Sequence, residues 1–139
     1  MFVGTFEHSL DDKGRFVLPA VFRQQFDKTG VLCQYDQCIG LWTPEGFEEV
    51  AGRLKARVQA GEVSQLALRA FSANAHTVKP DTQGRIGVPE RLREFGGLDR
   101  EVVVIGALDR IEIWDARRWR ALEAASDQSL TDAITRFGI

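Results

Sequence analysis

Two five-residue segments carry the residue types best suited to recognising another molecule: Asp11-Asp12-Lys13-Gly14-Arg15 and Asp81-Thr82-Gln83-Gly84-Arg85. In each, the leading aspartate can accept backbone N–H bonds inside a tight turn, and the glycine at the fourth position supplies a positive φ without steric cost. The arginine that follows is not needed for that turn. Its guanidinium holds a permanent charge and a planar fork of donors, the chemistry that grips a phosphate or the edge of a guanine. The plain alternative is a turn whose arginine merely pairs with its own aspartate, a surface interaction worth about 0–1 kcal/mol. The middle positions differ between the copies, Asp12-Lys13 against Thr82-Gln83, while the arginine stays. That retention points to binding rather than to turn geometry alone.

Elements of matching type surround the two loops, because the segments belong to a longer duplication. Phe16-Val17-Leu18-Pro19 aligns with Ile86-Gly87-Val88-Pro89 at an offset of 70, and Cys38-Ile39-Gly40-Leu41-Trp42 recurs as Arg110-Ile111-Glu112-Ile113-Trp114 at an offset of 72. Phe47 recurs as Trp119. Each copy reads as an extended segment, a hairpin reversal, a second strand, a short helix and two further strands. Pro19 and Pro89 have the fixed φ of a first helical turn, Phe22 and Phe26 share one face, and the second short helix stops at Gly96-Gly97. The later strands are expected over 31–35, 39–42, 101–105 and 111–114. Thr43-Pro44-Glu45 opens an amphipathic helix carrying Phe47, Val50, Leu54 and Val58, and 63–75 is a second helical candidate. The expected organisation is a first repeat over 5–47, bridging helices over 48–75, a second repeat over 76–119 and a C-terminal helix or tail over 120–139. Weak periodicity in 126–139 reads as a frayed helix or a mobile tail.

With 139 residues, 44% of them apolar, the chain can bury one sizeable core or two small fused ones. The 18 Lys plus Arg against 20 Asp plus Glu argue against a surface that grips phosphates throughout. Cys33 and Cys38 stand in an apolar stretch without a second pair, so neither a disulfide framework nor a zinc site is expected, and a reducing cytoplasm fits. No signal-peptide pattern and no membrane span is read. His8 and His76 occupy non-equivalent repeat positions and no metal-ligand spacing, Asp11-Asp12 and Glu48-Glu49 read as turn and helix-surface acids, and no glycine-rich loop opens a helix as a phosphate cradle. An enzyme, a cofactor, a metal and a small-molecule substrate are therefore not expected. Trp42 and Trp114, equivalent strand-end aromatics, are assigned to the core.

The stretch Phe2 to Arg15, Leu18-Pro19-Ala20-Val21-Phe22-Arg23, Asp81 to Arg85 and Glu112-Ile113-Trp114-Asp115 together closely resemble the bacterial MraZ family, over about Met1 to Trp119. The resemblance implies a mixed α and β fold of the AbrB and SpoVT kind, in which hairpins from two repeats interleave into a double-split β-barrel, one chain forming an internal pseudo-dimer with flanking helices. It also implies a sequence-specific DNA-binding transcriptional regulator of the division and cell-wall gene cluster containing its own gene, nucleoid-associated in the cytoplasm and assembled into a homo-oligomeric ring. Carried onto this sequence, the DNA contacts fall on Arg15, Arg85 and Lys13, with Asp11, Gly14, Asp81 and Gly84 shaping the loops. Gln83 stands where the first copy has Lys13, so the second loop is less basic. A ring presents many copies of one loop, and simultaneous engagement raises affinity by roughly 10² to 10⁴; its rotational relation favours direct repeats in double-stranded DNA. The rival reading is a protein-interaction or antitoxin-like scaffold whose amphipathic helix, Phe47 to Val58, receives a partner.

Overall fold

The computed structural model describes residues 1–26 and 28–139. In chain order they form β1 (Thr5–Ser9), β2 (Arg15–Val17), α1 (Ala20–Arg23), a 3₁₀ turn (Gln24–Phe26), β3 (Gly30–Tyr35), β4 (Cys38–Trp42), α2 (Pro44–Gln59), α3 (Gln65–Ala73), β5 (His76–Val78), β6 (Arg85–Gly87), α4 (Glu90–Gly96), β7 (Glu101–Gly106), β8 (Ile111–Asp115) and α5 (Ala116–Phe137). The local signals act where they stand in the sequence. The Thr43 hydroxyl accepts from the Gly46 N–H at 3.1 Å and Pro44 opens α2. Gly97, at φ +60°, ends α4 in the left-handed conformation.

The fold is mixed α and β, and the strands of the two repeats are exchanged. One antiparallel sheet runs in the order β1-β7-β8-β4-β3-β5, so that each repeat's first strand, β1 or β5, lies against a strand of the other repeat. The second sheet is a two-stranded ribbon of β2 and β6. Two registers reveal an internal two-fold relation. Phe16 faces Ile86, its own repeat equivalent, at the centre of the ribbon, and Gly40 faces Glu112, again its equivalent, at the centre of the β4–β8 pair. An antiparallel pair that places each residue opposite its counterpart is what a two-fold axis through the pair generates.

One expectation needs correction. The reversals after β1 and β5 are tight turns but not paired hairpins. Asp11 N–H donates to Arg15 O at 2.9 Å to close the first, and from there the strands part: Leu10 N–H donates to Arg100 O at 2.8 Å, while β2 leaves to pair with β6. Of the two readings of 126–139, a helix and a tail, the helix is the one found: α5 runs unbroken for 22 residues to a Gly138 cap at φ +64°. As for the barrel, the hydrogen-bonded ladder of the described residues is an open six-stranded sheet plus the ribbon, with β1 and β5 at its edges.

Phe16, Leu18, Leu32, Ile39, Leu41, Ile86, Val88, Leu92, Ile111 and Ile113 fill the main core between sheet, ribbon and short helices. A second, smaller cluster gathers Cys33, Trp42 and Val50 with Phe47 and Phe71. Trp42 and Trp114 are both buried, as expected, the first among Tyr35, Phe47 and Phe71 and the second against Trp119. Gly40 leaves the space that the Trp42 ring occupies, since a Cβ there would run into the ring. Its counterpart Glu112 instead accepts from Trp114 Nε1 at 3.0 Å.

Candidate nucleic-acid interface

The two loops have the same construction, bond for bond. Asp11 Oδ1 accepts the N–H groups of Lys13 and Arg15, each at 2.9 Å, and Asp11 Oδ2 accepts Arg15 Nε at 2.7 Å. Asp81 Oδ1 accepts the N–H groups of Gln83 and Arg85 at 2.9 and 2.8 Å, and Asp81 Oδ2 accepts Arg85 Nε at 2.7 Å. Gly14 and Gly84 donate to the aspartate carbonyls at 2.9 Å and hold φ of +72° and +78°, where a side chain would be strained. Both carboxyls are held below the usual Asp range, above all by the N–H of Arg15 or Arg85 and then by the same residue's guanidinium.

The plain alternative raised by the sequence is thus part of the geometry: each arginine does pair with its own aspartate. The pair engages Nε alone. Among the described residues nothing bonds Nη1 or Nη2 of Arg15 or Arg85, and the two side chains are 29% and 33% exposed. The aspartate orients the guanidinium side-on, leaving the outer pair of nitrogens as a two-pronged donor.

The ribbon then sets the two forks on one face. In strands successive side chains alternate, so Phe16 and Ile86 turn inward while Arg15, Val17, Arg85 and Gly87 share the other side. Arg15 is opposite Gly87 and Arg85 is opposite Val17, which makes the arginines diagonal neighbours with Cα atoms about 7–8 Å apart. Gly87 keeps the ground beside Arg15 low, the Arg15 Cγ lying 3.7 Å from where a Cβ would stand. Lys13 is at the outer bend of the first loop, exposed, with Gln83 in its place in the second.

Two further arginines reach these loops and were not picked out from the sequence. Arg23 of α1 and Arg93 of α4 lie against Gly84 and Gly14 respectively. Their signal was present, since they too are 70 positions apart, but an arginine on a short helix reads as a solvated face.

Elsewhere the residues singled out serve the scaffold. Asp81 has its carboxylate committed to its own turn. His76 sits half-buried in β5 opposite Leu32, and His8 opposite Val102 in β1. Both thiols are buried; desolvation pushes Cys33 up to about 11 and Cys38 higher still, so they stay protonated and unreactive. Among the described residues no group of three or more His, Cys, Asp or Glu is placed to hold a metal ion, and no helix is long and apolar enough to cross a membrane.

Comparison with known proteins separates the possible owners of such a loop pair. A family model described as "MraZ protein", its description adding "antitoxin-like", matches residues 1–68 and again residues 71–137. The chain belongs to the MraZ family. Among its relatives, the protein named Transcriptional regulator MraZ from Clavibacter michiganensis subsp. michiganensis is 41% identical over 133 residues, which is 95% of this chain and 93% of the relative. The proteins of that name from Salinispora tropica and Cutibacterium acnes are 39% and 37% identical, each over 95% of this chain and 94% of their own length. The family model meets this chain twice, the break between the two matches falling inside α3, as the internal two-fold of the structure leads one to expect.

Proposed function

We propose that this MraZ-family chain is a transcriptional regulator that binds double-stranded DNA through the Asp11–Arg15 and Asp81–Arg85 loops. The observation that carries the reading is the pair of half-exposed arginines, oriented alike by their aspartates, on one face of the β2–β6 ribbon. Arg15 and Arg85 offer bidentate contacts to guanine edges, each discriminating by about 1–3 kcal/mol, and Lys13 adds a phosphate contact that positions the protein. Asp11, Gly14, Asp81 and Gly84 hold the loops. The names of the relatives support regulation of transcription. The finer assignments are also proposals: the repeat boundaries at 5–47 and 76–119, a ring of several copies, direct-repeat targets in the promoter of the cluster containing its own gene, and residence on the nucleoid in the cytoplasm.

Net charge is the objection, at −2 overall. The distribution answers it, because Arg15, Arg85 and Lys13 stand on the loops and Arg23 and Arg93 lie against their glycines, beside Asp11, Asp12 and Asp81, with Asp99 and Arg100 lining the cleft next to the first loop. Affinity then falls with salt through counterion release at that patch.

The test is binding of wild type and Arg15→Ala to a fragment bearing tandem copies of one short element, at two salt concentrations. Arg15→Ala should bind about 10- to 100-fold more weakly, and both should weaken steeply as salt rises. Equal affinity would sink the proposal. Of the α2 face that the rival scaffold reading offers to a partner, Phe47 and Val50 already pack on the chain itself against Trp42 and Phe71, whereas Leu54 and Val58 are only partly covered.

A further inference from the structure

Arg23 and Arg93 are each tied to the loop of the opposite repeat by the same chain of bonds. Leu18 N–H donates to Gly84 O at 2.8 Å, and Leu18 O accepts Arg23 Nε at 2.9 Å. Val88 N–H donates to Gly14 O at 2.9 Å, and Val88 O accepts Arg93 Nη1. In both cases the guanidinium covers the open face of the glycine: a Cβ on Gly84 would lie 2.6 Å from Arg23 Cζ, and one on Gly14 2.7 Å from Arg93 Cζ. Glycine is needed there for space as well as for its positive φ. Arginine suits the other half of the contact because its flat group can cover a peptide and donate in its own plane at once, which the single ammonium of lysine cannot do.

We propose that Arg23 and Arg93 are positioning residues of the DNA-binding loops, acting crosswise: Arg93 of the second repeat holds the Asp11–Arg15 loop, and Arg23 of the first holds the Asp81–Arg85 loop. The inference rests on the DNA-binding reading for its functional meaning, but the hold itself does not. A guanidinium fork must be fixed in direction to read a base edge, and the ion pair with Asp11 or Asp81 fixes only its orientation within a loop. The crossed arginines fix the loop on the body, and they make the setting of each loop depend on the integrity of the other half.

Hydrogen exchange on the full-length chain tests the crossing without DNA. Arg93→Ala should speed exchange of the Lys13 and Arg15 amides about tenfold or more while sparing those of Gln83 and Arg85, and Arg23→Ala should do the reverse. In DNA binding, Arg93→Ala combined with Arg15→Ala should lose less than the product of the separate losses, by about threefold or more, whereas Arg93→Ala with Arg85→Ala should multiply. Arg93→Lys and Arg23→Lys keep the charge without the planar cover and stand in, with the same expected pattern, for any alanine variant that does not fold. Faster exchange in both loops alike, in neither, or in the loop of the mutated repeat would overturn the crossed hold. Wild-type affinity in Arg15→Ala would instead overturn the DNA reading, and the exchange pattern would still decide whether the arginines act across the repeats.

Discussion

The Asp11–Arg15 and Asp81–Arg85 loops match in every backbone and carboxylate bond, whereas the helices that follow the fourth strand of each repeat have gone separate ways. α2, capped by Thr43, turns Phe47 and Val50 into an aromatic cluster shared with α3. α5, capped by the equivalent Asp115, is held only near its start, by buried Ala116, by Trp119 against Trp114 and by Arg118 Nη1 donating to Gln37 O at 2.7 Å, and its Leu130, Ile134 and Phe137 stay exposed. The difference locates the constraint. A turn with a left-handed residue and an aspartate accepting three donors admits few solutions, and both copies keep the same one; a helix leaving the body needs only a cap and a few contacts in its first turns, so its far end is free to change.

The largest effect should come from breaking the centre on which both loops depend. Phe16→Ala should cost about 3–5 kcal/mol and Ile86→Ala about 2–5, because each is buried against the other's repeat in the ribbon. Urea unfolding measures both, and a loss below 1 kcal/mol in either would mean that the ribbon does not carry the loops. A smaller effect sharpens the contrast between loops. Lys13→Gln makes the first resemble the second and should lower the salt slope of DNA binding by about one, while Gln83→Lys should raise it; slopes unchanged in both would remove Lys13 from the interface.

Acid should affect the two loops alike. The folded-state values of Asp11 and Asp81 are depressed, so the order they lend to the turns is complete above the usual Asp range and is lost as pH falls through the lowered values. An NMR titration of the two carboxyls should find both midpoints below that of an Asp in an unfolded peptide. A midpoint at or above that reference in one loop would break the equivalence. Least of all should follow from removing residues 124–139. Only Ala133 is even partly covered there, and the unfolding midpoint should shift by no more than about 0.5 kcal/mol equivalent.

Much of this was legible because it is local. The duplication, the Asp and Gly of each turn, the Thr43-Pro44 start of α2 and the Gly97 stop of α4 are short-range signals, and each acts where the residues say. Strand exchange is not local. Alternation says which face of β1 is buried, but nothing in Thr5–Ser9 names β7 as its neighbour, so paired hairpins and split ones read the same. The continuous α5 was hidden by Ser126, Ser129 and Thr131, which weaken the apolar period of a helix that does not pack over that stretch. Arg23 and Arg93 were hidden by distance of another kind, since each acts on a glycine of the other repeat.

The exchange of β1 and β5 has a consequence for how the molecule can be taken apart. A protease cutting the exposed bend at Gly61 and Glu62 would sever the chain between its halves, yet each fragment would keep a strand laced into the other's sheet. The pieces should migrate together until denatured. Made separately, neither fragment would have a complete sheet to fold into, and association would have to accompany folding rather than follow it.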